Sequence, residues 1–166
     1  MMVLISCTAV PKGLAPVEGF DIESYLGKWY EIGRLDHTFE RNMSNVSATY
    51  TVDDSGDIAV VNRGYKADTG EWKSIQGVAR PIGNDSTGSL KVSFFGPFYG
   101  GYHIIDLDRQ NYSYAMVVGP SRSYFWILSR ERVMDEELYK ELVTKAAAYG
   151  IDTKKLIRVE QNLPEG

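Results

Sequence analysis

Between residues 28 and 130 the chain repeats one pattern. Runs of about seven to ten residues rich in Val, Ile, Tyr, Thr and Phe are each closed by a Gly, Asp, Asn or Pro turn. The spacing predicts eight strands, at about 28–36, 45–53, 57–66, 71–80, 89–95, 101–107, 112–118 and 123–130. Turn chemistry separates most of them, as in Asp54-Ser55-Gly56-Asp57, Asp68-Thr69-Gly70, Asn84-Asp85-Ser86 and Gly119-Pro120-Ser121. Eight sequential antiparallel strands leave two unpaired edges unless the sheet closes on itself. The expected fold is therefore all-β, an eight-stranded antiparallel up-and-down β-barrel. A barrel of this size holds either side chains alone or one small ligand.

After residue 130 the apolar period lengthens from two to about 3.6. Asp135 suits a helix N-cap, Glu136 and Glu137 suit the positive end of the helix dipole, and Leu138, Leu142, Ala146 and Tyr149 line one face before Gly150. This C-terminal α-helix is expected to pack outside the barrel, with a short strand at Leu156 to Val159 after it. With 166 residues the chain fits one domain, burying roughly 70% of its unfolded surface. Residues 20–163 make up the barrel plus helix, and residues 1–19, with Pro11, Gly13, Pro16 and Gly19, read as an N-terminal segment and linker.

Charge narrows the partners. Eighteen Lys and Arg against 22 Asp and Glu give a net charge of −4 with no dense basic run, so nucleic acid is not an expected partner. The single cysteine, Cys7, excludes an internal disulfide and a cysteine-based metal cluster. No apolar run approaches the ~20 residues of a spanning helix. Leu4-Ile5-Ser6-Cys7 resembles the bacterial lipobox, in which the cysteine is lipidated after cleavage. The short preceding stretch has no basic n-region, so two readings stand: the tail of a longer lipoprotein signal, or an ordinary start with an incidental cysteine.

In an up-and-down barrel the loops alternate between two ends. The start of strand one at Gly27-Lys28-Trp29, the turn Asp108-Arg109-Gln110-Asn111 and the close of strand eight at Ser129-Arg130 must share an end. A buried Trp29 stacked under Arg130 would seal that end as a floor. Gly27-x-Trp29, Asp108 at the turn and Arg130 closing the last strand look like the three signature regions of the lipocalins. The runs Gly27 to Ile32, Phe39-Glu40-Arg41, Asn62-Arg63-Gly64-Tyr65, Lys91 to Gly100 and Trp126 to Arg130 resemble the bacterial lipocalins in particular, relatives of apolipoprotein D. The likeness covers residues 20 to 160. Leu107-Asp108-Arg109 departs from the Thr-Asp-Tyr of many animal lipocalins, which leaves the role of Asp108 open.

The resemblance implies a cavity that takes a fatty acid or lysophospholipid, for storage or transport in membrane maintenance. It also implies an outer membrane lipoprotein of the bacterial envelope, facing the periplasm and held by a lipidated Cys7, or a soluble protein if the signal is absent. Trp29 facing inward sets the phase of strand one and places Glu31, Gly33 and Leu35 inside. The resemblance, with the recurrence of small and apolar residues, places Tyr50, Asn62, Gly64, Ile75, Gly77, Leu90, Val92, Phe94, Tyr102, Ile104, Ala115, Val117, Trp126 and Leu128 around the cavity with Leu35, and Ala48 and Ala79 among them. Glycine and alanine between large residues predict a hollow rather than a plug.

The inward Tyr50, Asn62 and Tyr102 either orient a ligand's polar end or bond to one another and to buried water. Glu31 is expected to be a satisfied floor residue. In Ser93 to His103, Phe95, Phe98 and Tyr99 form an apolar portal at the open end, facing ligand, membrane or a second subunit. Arg41, Lys66 and Arg122 stand there as solvated charges or as contacts for an acidic head group.

Neither a Gly-x-Ser-x-Gly elbow nor a triad motif is present, and the two histidines fall at the mouth (His37) and outside strand six (His103). The expectation is a binding protein, not an enzyme, with no metal and no cofactor. The alternatives are a dimerising interaction module, in which this chain forms a homodimer, or a lipid-modifying enzyme on the same barrel.

Overall fold

Strand β1 (Gly27–Leu35) closes the sheet by pairing on both sides, with β2 (Met43–Val52) along Gly27 to Tyr30 and with β8 (Phe125–Ser129) along Tyr30 to Arg34. Between them β3 (Ile58–Lys66), β4 (Glu71–Pro81), β5 (Ser89–Phe95), β6 (Phe98–Leu107) and β7 (Tyr114–Val118) follow in chain order, each antiparallel to the last. The result is the closed eight-stranded barrel that the strand count demands. The structure is a computed structural model and describes residues 7–164. A short helix α1 (Ile22–Tyr25) precedes β1, and α2 (Glu136–Ala148) and a three-residue β9 (Leu156–Arg158) follow β8. Among the described residues no helix is long and apolar enough to cross a membrane.

Helix α2 starts where its cap was expected. The Asp135 carboxylate accepts from the backbone N–H of Glu137 and Leu138, satisfying two of the first-turn donors. Its apolar face, with Leu142 and Ala146 fully buried, covers the outer wall of the barrel at Ile32, Met116, Val118, Phe125 and Ile127. A second core fills the inside.

Two strand boundaries differ from the alternation pattern. Phe98 to Gly100 are strand rather than loop: Phe95 pairs with Phe98, so the β5–β6 turn is only Gly96-Pro97, joined by a cis peptide. Tyr112 and Ser113, expected in the seventh strand, stay in the turn. Tyr112 has a left-handed φ of 49°, and Asp108 accepts from the N–H groups of Gln110, Asn111 and Ser113.

The larger difference is inside β1. Glu31 pairs with Leu128 and Gly33 with Ile127, so Ile32 is one residue more than its partner strand holds. Such a bulge reverses the inside-outside alternation beyond it. Ile32 and Leu35 therefore point outward under α2, and a Cβ on Gly33 would stand 3.3 Å from the Tyr139 hydroxyl of that helix. Arg34 turns inward and is 3% exposed. Leu35 and Gly33, expected inside, lie outside.

The N-terminal stretch does not hang free as a linker. The Gly101 N–H donates to the Cys7 carbonyl and the Val17 N–H to the Ile104 carbonyl, both at 2.8 Å, which lays this stretch along β6. Val17 and Phe20 then reach the inner core, and the apolar area they bury is the force that holds the segment down.

Candidate ligand cavity

The floor forms as the sequence requires. Trp29 is fully buried, its indole N–H donates to the Tyr25 carbonyl at 2.9 Å, and the Arg130 guanidinium lies 3.9 Å over the ring. Arg130 also donates to the carbonyls of Ser24, Tyr25, Lys28 and Tyr112, tying α1, β1 and the β6–β7 turn to the end of β8. Gly27 has φ +98°, and a Cβ there would meet Arg130 at 3.3 Å, so glycine serves both conformation and space. Asp108 acts on its own turn: the Ser113 hydroxyl and the turn N–H groups hold its carboxyl below the usual range.

Part of the barrel interior is filled by a packed layer of side chains. Leu90, Ile104, Ala115 and Val117, expected on the cavity wall, sit in this packed layer with Phe20, Tyr25 and Val17. Alternation correctly turned them inward, but residues from outside the barrel strands fill the space they face. Gly77 is likewise closed off, since a Cβ there would strike the Ser93 carbonyl at 2.5 Å and the Phe94 ring at 2.7 Å.

The packed layer ends on three tyrosines. Tyr102 shares a 2.6 Å hydrogen bond with Tyr25 and accepts one from Tyr50 at 3.0 Å. Burial pushes all three hydroxyls upward from their ordinary pKa, so each remains a neutral phenol.

The hollow over these hydroxyls has a volume of about 790 Å³. Trp29, Tyr50, Tyr102 and Leu128 form its base, Ala48, Val60, Asn62, Gly64, Val92 and Phe94 its wall, and Trp126 and Ile75 its upper wall. Phe95, Phe98 and Tyr99 stand at its rim, with Arg41 and Lys66 nearby. The ladder from β4 to β5 covers only Val78 to Pro81, so above it the wall opens sideways between Ser74 and Ile75 on one strand and Phe94 and Phe95 on the other.

One side of this mostly apolar chamber carries a charged cluster that alternation did not reveal. Arg34 approaches Glu31 at 3.4 Å, donates to the carbonyls of Glu40 and Met43 at 3.0 Å each, and lies 3.7 Å from Asp36. Glu40 comes from the 3-10 turn Thr38–Glu40, where its carboxylate stands 2.9 Å from His37 Nε2 and accepts from the Trp126 indole at 3.1 Å. Burial, and then the neighbouring Glu40 carboxylate, raise Glu31 well above the ordinary carboxyl range. Burial works to raise Glu40 too, but hydrogen bonds from His37, Glu31 and Trp126 together bring it lower. The two shifts run in opposite directions, Glu31 toward its protonated form and Glu40 toward its ionised form.

His37 lies at the mouth as expected and is buried there, its ring tilted 37° to that of Phe39 with centroids 3.8 Å apart. His103 does lie outside the barrel wall, yet it is buried: its Nδ1 pairs with the Ser89 hydroxyl at 2.8 Å under the N-terminal segment. Burial lowers its pKa. Arg122, expected at the mouth, donates instead to the Tyr149 carbonyl at the end of α2.

A closed eight-strand barrel with a Trp-Arg floor, an outer C-terminal helix and an open apolar chamber is a specific combination. Residues 20–161 match the family model of the lipocalin-like domain. The chain belongs to the lipocalins. This lipocalin is 46% identical over 160 residues to the outer membrane lipoprotein Blc of Vibrio cholerae, an alignment covering 96% of this chain and 94% of that one. It is 32% identical over 166 residues to apolipoprotein D of Macaca fascicularis, covering 96% of this chain and 85% of the relative. Insecticyanin from the tobacco hornworm Manduca sexta shares the fold, with a TM-score of 0.70 at 22% identity over 92% of this chain and 87% of that one. Lipocalins bind small hydrophobic ligands, and the chamber of this lipocalin is built for that chemistry.

Proposed function

We propose that this lipocalin holds one single-chain lipid, a fatty acid or a lysophospholipid, for storage or transport in membrane maintenance. The observation that carries the reading is the 790 Å³ chamber itself, open at one end and mostly apolar down to the Tyr50 and Tyr102 hydroxyls. Its volume lies within the range of about 300–1,000 Å³ typical of sites for one small molecule. An acyl chain of about 16 carbons gains roughly 12 kcal/mol gross on burial, which supports micromolar or tighter binding after the costs of association. The chain enters tail first, with its polar end among Arg41, Lys66 and the rim. The protein acts as a carrier and not as an enzyme.

The name of the Vibrio cholerae relative, an outer membrane lipoprotein, supports the same address for this chain. Cys7, exposed at the start of the described residues, is then the lipidated residue. Mass spectrometry of the protein from its host tests this: acyl chains on Cys7 are expected, and an unmodified thiol on the mature protein excludes the anchor.

The cavity reading is tested by titrating a fluorescent fatty acid and a lysophospholipid while following tryptophan emission, with Trp126 on the chamber wall. Saturable binding with a micromolar or lower Kd is expected. No binding of any amphiphile overturns the reading.

A further inference from the structure

We propose that the open end of this lipocalin docks on a lipid bilayer with an anionic component, placing the tip of the β5–β6 hairpin among the head groups. Phe95 and Phe98 flank Gly96-Pro97 at that tip and are 72% and 77% exposed, and Phe39 faces them across the mouth at 62%. Single exposed apolar residues are ordinary, but three rings gathered around one opening form a patch. Aromatic rings settle at the head-group level of a membrane.

The charges orient the molecule the same way. The turns between strands at the closed end carry Asp53, Asp54, Asp57, Asp85 and Asp108 against Arg109, and the segment after β8 adds Glu131 and Asp135 against Arg130 and Arg132. At the open end Arg41, Lys66 and Lys73 balance Asp36, Asp68 and Glu71, with Lys66 beside Asp68 and Lys73 beside Glu71, so the mouth carries no net charge. A molecule of net charge −4 whose acidic pole is at the floor presents its mouth to an anionic surface.

Two further features agree. The sideways gap beside Ile75, which is 39% exposed, continues the chamber to the rim, so an acyl chain passes from bilayer to cavity without crossing water. Cys7 is bonded to Gly101, three residues from Phe98 on β6, which puts it about 10 Å from the hairpin tip along the strand. The three rings expose roughly 400 Å² together, well short of the about 800 Å² per partner of a stable dimer, which favours a membrane over a second copy.

The docking goes beyond the lipid-carrier reading and does not need the chamber filled. The test uses the full chain carrying Cys7→Ser, so that no acyl group contributes. An environment-sensitive fluorophore is attached at Phe98→Cys or, as a control on the closed end, at Val133→Cys, where the native side chain is 82% exposed. With vesicles of phosphatidylcholine containing a quarter phosphatidylglycerol, emission at position 98 is expected to rise about threefold and to be quenched by nitroxide-labelled phospholipid. The label at position 133 is expected to stay unchanged. The sedimented fraction is expected to fall at least about fivefold for Phe95→Ser/Phe98→Ser on the same Cys7→Ser chain.

No vesicle response at position 98, or equal responses at both positions, overturns the proposal. A rise at position 98 that follows protein concentration without vesicles assigns the patch to a second copy instead. Loss of fatty-acid binding with vesicle docking intact sinks the carrier reading alone.

Discussion

Arg34 holds Glu40 through two contacts, donating to its carbonyl at 3.0 Å and lying 4.0 Å from its carboxylate. Together they pin the segment between β1 and β2 against the chamber wall, and they do so from the one stretch of β1 where the alternation is reversed.

Arg34→Met removes a buried guanidinium and leaves Asp36, Glu40 and two carbonyls without it. A loss of about 3–5 kcal/mol is expected, the cost of an unpaired buried charge. Adding Glu40→Gln to Arg34→Met is expected to recover part of that loss, because it removes the buried carboxylate that Arg34 would leave uncompensated. Urea-unfolding midpoints of the native chain, Arg34→Met, Glu40→Gln and the double variant measure both, and additive losses would show that Arg34 and Glu40 are not coupled.

Glu31 gives a pH dependence of definite sign. Its folded pKa lies above the unfolded 4.5, so between these values the folded chain keeps a proton that the unfolded chain has released. Its contribution is fully present below about pH 4.5 and is lost as pH rises through the folded value. Glu40, shifted down, contributes in the opposite sense, through a window below 4.5. Glu31→Gln keeps the neutral state at every pH, so its unfolding midpoint is expected to fall less than that of the native chain between pH 5 and 8. Parallel curves would contradict the proton assignment.

Arg130 bonds four carbonyls while stacked on Trp29, a task for a planar fork of donors and not for an ammonium. Arg130→Lys is expected to cost about 1–3 kcal/mol although the charge is kept. Equilibrium denaturation measures this, and a neutral effect would mean that charge alone seals the floor.

The packed layer separates two alanines that alternation treats alike. Ala48→Trp projects into the chamber and is expected to weaken fatty-acid binding at least about tenfold with little loss of stability, since its surroundings are open. Ala115→Trp overpacks the filled layer and is expected to cost about 1–3 kcal/mol without plugging the cavity. Binding titration and unfolding of the same two variants resolve the pair.

Much of this was legible in the chain itself. Period and turn chemistry predicted eight strands and an outer helix, strand parity placed Trp29 and Arg130 at one end, and the resemblance put Tyr50, Asn62, Phe94 and Trp126 on an inner face. One signal for the bulge was present: Gly33 interrupts a strand pattern, as isolated glycines at bulges do. Alternation alone passes over it, because apolar residues occur at both phases around it.

The sequence by itself determined what depends on neighbours along the chain: strand, turn and helix periods, the capping of α2, and the parity that separates floor from mouth. Tertiary structure decided where the hollow begins, because that depends on Val17, Phe20 and Tyr25 arriving from outside the barrel strands to join the packed layer beneath it. It also decided that Arg34 and Glu40 meet inside. A bulge is set by the hydrogen-bond register with β8, and that register is fixed only when the barrel closes.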